Sequence, residues 1–75
     1  MLIVRKLNNF NKVANKVTLA ELKKYILPDG DYAVELFEDE KVIHLNIPHG
    51  NIYSECNEKE WKEVLGGLRK LGLEF

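Results

Sequence analysis

The chain has 75 residues, which leaves room for one domain, and we expect that domain to span residues 1–75. Its composition, 45% hydrophobic and 31% charged, excludes a disordered chain, and no apolar run approaches the roughly 20 residues that cross a bilayer. The single cysteine, Cys56, excludes an intramolecular disulfide, so we expect a cytoplasmic protein held together by its core or by self-association.

Residues 1–7 predict a first strand, because the run is short, largely apolar and contains β-branched residues, and because Asn8-Asn9 follow it. The next segment, residues 10–17, is ambiguous. Its apolar residues have helical spacing, but its asparagines disfavour a helix. We therefore predict a loop or an irregular helical turn there.

A first helix is predicted over residues 19–26. The run Thr18-Leu19-Ala20-Glu21 is a capping box, in which Thr18 and Glu21 satisfy each other's backbone amides. Pro28-Asp29-Gly30 then ends the helix and turns the chain.

The middle of the chain predicts a β-hairpin. Residues 32–38 and 41–47 form its strands, and the acidic run Glu38-Asp39-Glu40 forms its turn. A second turn at residues 48–51 leads to a short third strand over residues 52–55.

A second helix is predicted over residues 58–71. Asn57 is a strong N-cap with Glu60 at the third helical position, and Gly72 is a natural stop. Trp61 begins an apolar stripe at helical spacing, so we predict that it packs on the sheet against Ile43 or Leu45. The predicted class is therefore α+β, a small and mainly antiparallel sheet of three to four strands against two helices, in the order β-α-β-β-(β)-α.

Few residues are candidates for chemistry. His44, His49 and Cys56 do not have the spacing of a compact zinc site. Cys56 precedes a helix N-terminus, which lowers a thiol pKa and could activate it beside a histidine, but in this position it also serves as a small apolar contact. We predict no catalytic residue, no cofactor and no metal site.

Charge is distributed unevenly along the chain. Residues 1–27 carry six basic residues and one acidic, whereas residues 28–75 carry five basic and eleven acidic. This asymmetry can mark a binding surface, or the two sets can intermix when the chain folds. The acidic set predicts a surface for a basic partner protein, which we assign to Glu35, Glu38, Asp39, Glu40, Glu58 and Glu63.

The basic N-terminal segment suggests an alternative, nucleic-acid binding by Arg5, Lys6, Lys12 and Lys16. The sequence pI of 6.1 is low for such a protein. We therefore predict a non-enzymatic, protein-binding regulator or inhibitor of a larger macromolecule. The lysine- and asparagine-rich composition, typical of AT-rich genomes, adds the hypothesis that it is phage-encoded. The apolar N-terminal strand needs cover on both faces. Residues 10–17 could fold over it, or a second copy of the chain could cover it, and of these we predict the homodimer.

Overall fold

The structure, a computed structural model, describes residues 3–26, 33–47 and 50–72. These residues form five strands and two helices. In chain order they are β1 (Ile3–Leu7), β2 (Asn15–Lys16), α1 (Leu19–Lys23), β3 (Ala33–Phe37), β4 (Val42–Ile47), β5 (Gly50–Glu55) and α2 (Glu58–Lys70). Among the described residues, no helix is long and apolar enough to cross a membrane.

All five strands join one sheet in the order β1-β3-β4-β5-β2. The two central pairings, β3 with β4 and β4 with β5, are antiparallel, whereas β1 on β3 and β2 on β5 are parallel. The α+β class is therefore confirmed, but the prediction of three to four mainly antiparallel strands was wrong. The sheet is larger and mixed, because both outer strands come from the segment before α1 and reach their partners through long connections.

The segment that had been predicted as a loop or helical turn supplies the fifth strand. Asn15 pairs with Ile52 and Lys16 with Tyr53, and the Val17 amide extends this pairing by donating to the Tyr53 carbonyl at 2.8 Å. A two-residue strand has no periodicity that a sequence pattern could reveal. Only the partner strand makes it visible.

One face of the sheet is covered by both helices. Alternate side chains of β3 and β4 point to this helix-covered face, and the apolar stripes of α1 and α2 pack onto them. The buried cluster comprises Leu19, Leu22, Val34, Leu36, Ile43, Leu45, Trp61, Val64 and Leu68. Trp61 is only 6% exposed, so its predicted burial in the cluster that contains Ile43 and Leu45 is confirmed.

Local hydrogen bonds set the helix boundaries. The Thr18 hydroxyl accepts from the Glu21 amide at 3.2 Å, and Asn57 and Glu60 form a complete capping box. Helix α1 ends at Lys23, earlier than predicted, because residues 24–26 instead make bonds to carbonyls three residues back. Helix α2 spans Glu58–Lys70, close to the predicted 58–71.

The hairpin turn lies where it was predicted. Residues 38–41 connect β3 to β4, and the Lys41 amide donates to the Glu38 carbonyl at 3.3 Å. Lys41 has a left-handed φ of 53°. The third predicted strand is also present, but it starts at Gly50 and so takes up part of the second predicted turn. The Pro28-Asp29-Gly30 turn lies outside the described residues, as do Pro48 and His49.

Candidate functional site

Two parts of the predicted protein-binding surface meet at one end of the molecule. The Cys56 amide donates to the Lys41 carbonyl at 2.8 Å, which holds the β3–β4 turn beside the start of α2. This end, which we call the acidic end, carries the exposed carboxylates of Glu38, Asp39, Glu40 and Glu58, together with the half-buried Lys41 and the exposed Lys59. None of the ion pairs found among the described residues involves these four carboxylates. Their charge is therefore directed at solvent.

The other two residues of the predicted acidic surface lie elsewhere. Glu63, on α2, binds the Lys23 ammonium of α1 at 2.6 Å, and this hydrogen bond holds the pKa of Glu63 below its usual value. Glu35 lies in the middle of β3, beside His44, on the face of the sheet that is opposite the helices. The structure therefore separates Glu35 and Glu63 from the acidic end.

The basic candidates divide into two pairs. Lys12 and Lys16 each lie 3.5 Å from a carboxylate oxygen of Glu55, and the two ammonium groups, Lys16 first, lower the pKa of that exposed carboxyl. Arg5 and Lys6 lie on β1, an outer strand of the sheet. The charges of the two halves therefore intermix at these ion pairs, which was the simpler of the two expectations for the charge asymmetry.

The face of the sheet opposite the helices, which we call the open face, has a polar row across all five strands. The register aligns one residue from each strand: Arg5, Glu35, His44, Tyr53 and Lys16. Residues 8–14, which we call the covering segment, lie over part of this face. The Phe10 ring packs against Phe37 and Tyr53, with centroids 5.0 and 4.8 Å apart.

Sequence analysis missed a histidine–carboxylate pair within this row. Nδ1 of His44 lies 2.7 Å from Oε1 of Glu35, so the ring nitrogen donates and the carboxylate accepts. The His44 side chain is 13% exposed, and its Nε2 is buried without a hydrogen-bond partner among the described residues. The alternating polar positions of the two hairpin strands were the available signal, because opposed residues in a hairpin share a face.

Cys56 has the properties of a small core residue. Burial raises the pKa of its thiol to about 11, and the nearby Glu60 carboxylate acts in the same direction. The activating effect of a helix N-terminus, considered from the sequence, is therefore outweighed. Cys56 packs with the helix-covered core, while His44 lies among the aromatic rings of the open face, so the sheet separates them. His49 lies outside the described residues.

Metal-binding side chains do not converge in the part of the chain that the structure describes: no group of three or more His, Cys, Asp or Glu could hold an ion there. No protein-family model matches the chain, and no curated protein or solved structure matches it significantly. Any function is therefore inferred from the chain's own residues.

Proposed function

We propose that this chain is a non-enzymatic binding protein, a regulator or inhibitor of a larger macromolecule, which uses its acidic end to bind a basic surface on a partner protein. The observation that carries the proposal is the bond from the Cys56 amide to the Lys41 carbonyl. This bond holds the carboxylates of the hairpin turn beside Glu58, at the start of α2. Exposed carboxylates that form no ion pair among the described residues steer a basic partner and increase its association rate.

Among the described residues considered for catalysis, Cys56 and His44 do not form a pair of nucleophile and base. The Cys56 thiol has a pKa of about 11, which keeps it protonated at neutral pH, and it packs on the opposite face of the sheet from His44. A cysteine nucleophile needs a lowered pKa and a base within hydrogen-bonding distance. Cys56 has a raised pKa and no contact with His44.

Nucleic-acid binding is the weaker candidate. Phosphate contacts need cations that are free to exchange their counterions for the backbone. Lys12 and Lys16 instead share the carboxylate of Glu55 at 3.5 Å, and the acidic end would repel phosphates.

A matched pair of charge variants tests the acidic end. The first variant combines Glu38→Gln, Asp39→Asn and Glu40→Gln. The second variant combines Glu21→Gln, Glu55→Gln and Glu63→Gln, which changes net charge by the same amount but leaves the turn intact. Tagged wild-type and variant chains are used to recover partners from the native cell, with and without nuclease, and the recovered partner is then purified for rate measurements.

We expect the turn variant to lose the partner and the control variant to keep it, because exposed ion pairs such as those of Glu55 and Glu63 contribute little to stability. With purified partner, the association rate should fall with salt for the wild type and much less for the turn variant. Equal binding by both variants would contradict the proposal. Recovery that disappears after nuclease treatment would favour the nucleic-acid alternative.

The homodimer remains a prediction. The covering segment packs over the middle of the open face, through Phe10 on Tyr53, and leaves Ile3 and Leu7 of β1 each 39% exposed. Light scattering over a range of concentrations measures the mass directly. A mass that stays at the 8.7 kDa of one chain would contradict the homodimer.

A further inference from the structure

Strand β1 forms a long outer edge of the sheet. It pairs along its length with β3, from Ile3 beside Ala33 to Leu7 beside Phe37, and no other described strand lies beside it. The opposite edge is formed by β2, which has only two residues. An outer strand carries backbone N–H and C=O groups that can pair with a further strand. Among the described residues, β1 is therefore the edge best suited to accept one.

The side chains of β1 give this edge a chemical pattern. Ile3, Arg5 and Leu7 alternate on the open face, because each is in register with a residue of β3 that points there. All three are exposed. The order apolar, cationic, apolar favours a partner strand with an acidic residue opposite Arg5 and apolar residues opposite Ile3 and Leu7.

A second copy of β1 fits this edge poorly. In an antiparallel pair of strands related by a two-fold axis, directly opposed residues lie on the same face of the sheet. The axis must therefore pass beside one residue, and that residue lies opposite its own copy in the second chain. An axis at Arg5 pairs all of Ile3–Leu7 but opposes two arginines, and an axis at Lys6 opposes two lysines. An axis at Val4 avoids both, but it pairs only residues 3–5 of the described strand. Directly opposed like charges are destabilising.

We propose that β1 binds an extended, acidic segment of another protein, which adds to the sheet as a sixth strand antiparallel to β1. Main-chain hydrogen bonds to the edge supply affinity, and the residues opposite Ile3, Arg5 and Leu7 supply specificity. This surface uses a different element and the opposite charge from the acidic end. It therefore stands whether or not the acidic end binds a partner.

A short peptide tests the charge pattern. The probe is a capped Thr-Val-Thr-Glu-Thr-Val-Thr, and its control has lysine in place of glutamate. Amide resonances of the labelled full chain are followed during titration with each peptide. We expect shifts at residues 3–7 with the glutamate peptide, and binding about three- to tenfold weaker with the lysine peptide. Arg5→Glu, an exposed substitution, should reverse this preference.

A tethered version keeps the test decisive when free peptide binds weakly. The same two peptides are fused ahead of Met1 through a Gly/Ser linker, which raises their local concentration to about millimolar. Hydrogen exchange at β1 should slow for the glutamate fusion and much less for the lysine fusion. Equal exchange in the two fusions, or an unchanged preference in Arg5→Glu, would overturn the proposal. Hydrogen-exchange protection of the β1 amides that increases with the concentration of the free chain would assign the edge to a second copy and would also overturn the proposal.

Discussion

The helix-covered face and the open face of the sheet differ in their side chains and in the segments that cover them. The helix-covered face buries aliphatic side chains and Trp61 beneath two capped helices. The open face is covered only in part, by a segment without regular structure, residues 8–14, whose Phe10 packs on a small cluster of Phe37, Val42 and Tyr53. It also carries the Glu35–His44 pair, with one ring nitrogen unpartnered among the described residues.

This difference indicates that the helix-covered face contributes more to the stability of the protein than the open face does. Burial of apolar area is the main source of stability in a chain this small, and most of the buried side chains lie on the helix-covered face. A buried polar atom without a partner costs free energy, and such atoms are rare in a well-packed core. We therefore expect substitutions on the helix-covered face to affect stability more than those on the open face.

The largest effect is expected at Trp61. Trp61→Ala removes a side chain that is 6% exposed and leaves a cavity beneath α2, which should cost about 3–5 kcal/mol in the free energy of unfolding. A loss of that size is enough to unfold a small domain. Denaturant unfolding measures it. Lys62→Ala, at the exposed neighbouring position, is the control and should change stability by less than about 0.5 kcal/mol.

A smaller loss is expected on the open face. Phe10→Ala removes a half-buried ring in contact with Phe37 and Tyr53, which should cost about 2–3 kcal/mol. Val13→Ala, in the same segment but at a residue that is 79% exposed, is the matched control and should have little effect. If Phe10→Ala destabilised the protein as much as Trp61→Ala, the distinction between the two faces would be wrong.

The Glu35–His44 pair predicts a non-additive result. Glu35→Ala leaves Nδ1 of His44 without its acceptor and should cost about 1–2 kcal/mol. The double variant Glu35→Leu/His44→Leu removes both partners and the unpartnered Nε2, so its stability should approach that of the wild type. A double-mutant cycle of unfolding free energies, built from the single variants Glu35→Leu and His44→Leu and this double variant, measures the coupling. Additive losses would show that the two side chains act independently.

The last prediction concerns the reactivity of the Cys56 thiol. Because burial raises its pKa from 9.0 to about 11, alkylation of the folded chain at pH 8 should be about 100-fold slower than that of the unfolded chain. The alkylation rate of the folded chain should rise as the pH increases toward about 11. The free energy of unfolding should decline between pH 9.0 and about 11, because the folded state favours the protonated thiol. Fast alkylation of the native protein at pH 8 would contradict this.

Local patterns in the sequence predicted much of the helix-covered face. The apolar spacing of α2, its cap at Asn57 and the alternation along β4 each depend on residues a few positions apart. The acidic turn between β3 and β4 was predicted for the same reason. These signals are sufficient to predict the α+β class and the burial of Trp61.

The candidate sites depend on contacts between segments that are far apart in the sequence. Lys23 meets Glu63 across 40 positions, and Lys12 and Lys16 meet Glu55 only because β2 pairs with β5. Charge counts along the chain could not reveal which carboxylates form ion pairs with lysines from distant segments. Of the six acidic residues named from the sequence, the structure brings Glu38, Asp39, Glu40 and Glu58 to one end of the molecule and places Glu35 and Glu63 elsewhere.

The sequence by itself determined where the central hairpin and the two helices form, because hydrogen bonds and apolar periodicity within each element depend on nearby residues. Only the tertiary structure decided that β1 and β2 lie at opposite edges, that both pair in parallel, and that Phe10 covers the open face. These arrangements depend on which distant segments bury each other's surface and complete each other's backbone hydrogen bonds. No local pattern contains that information.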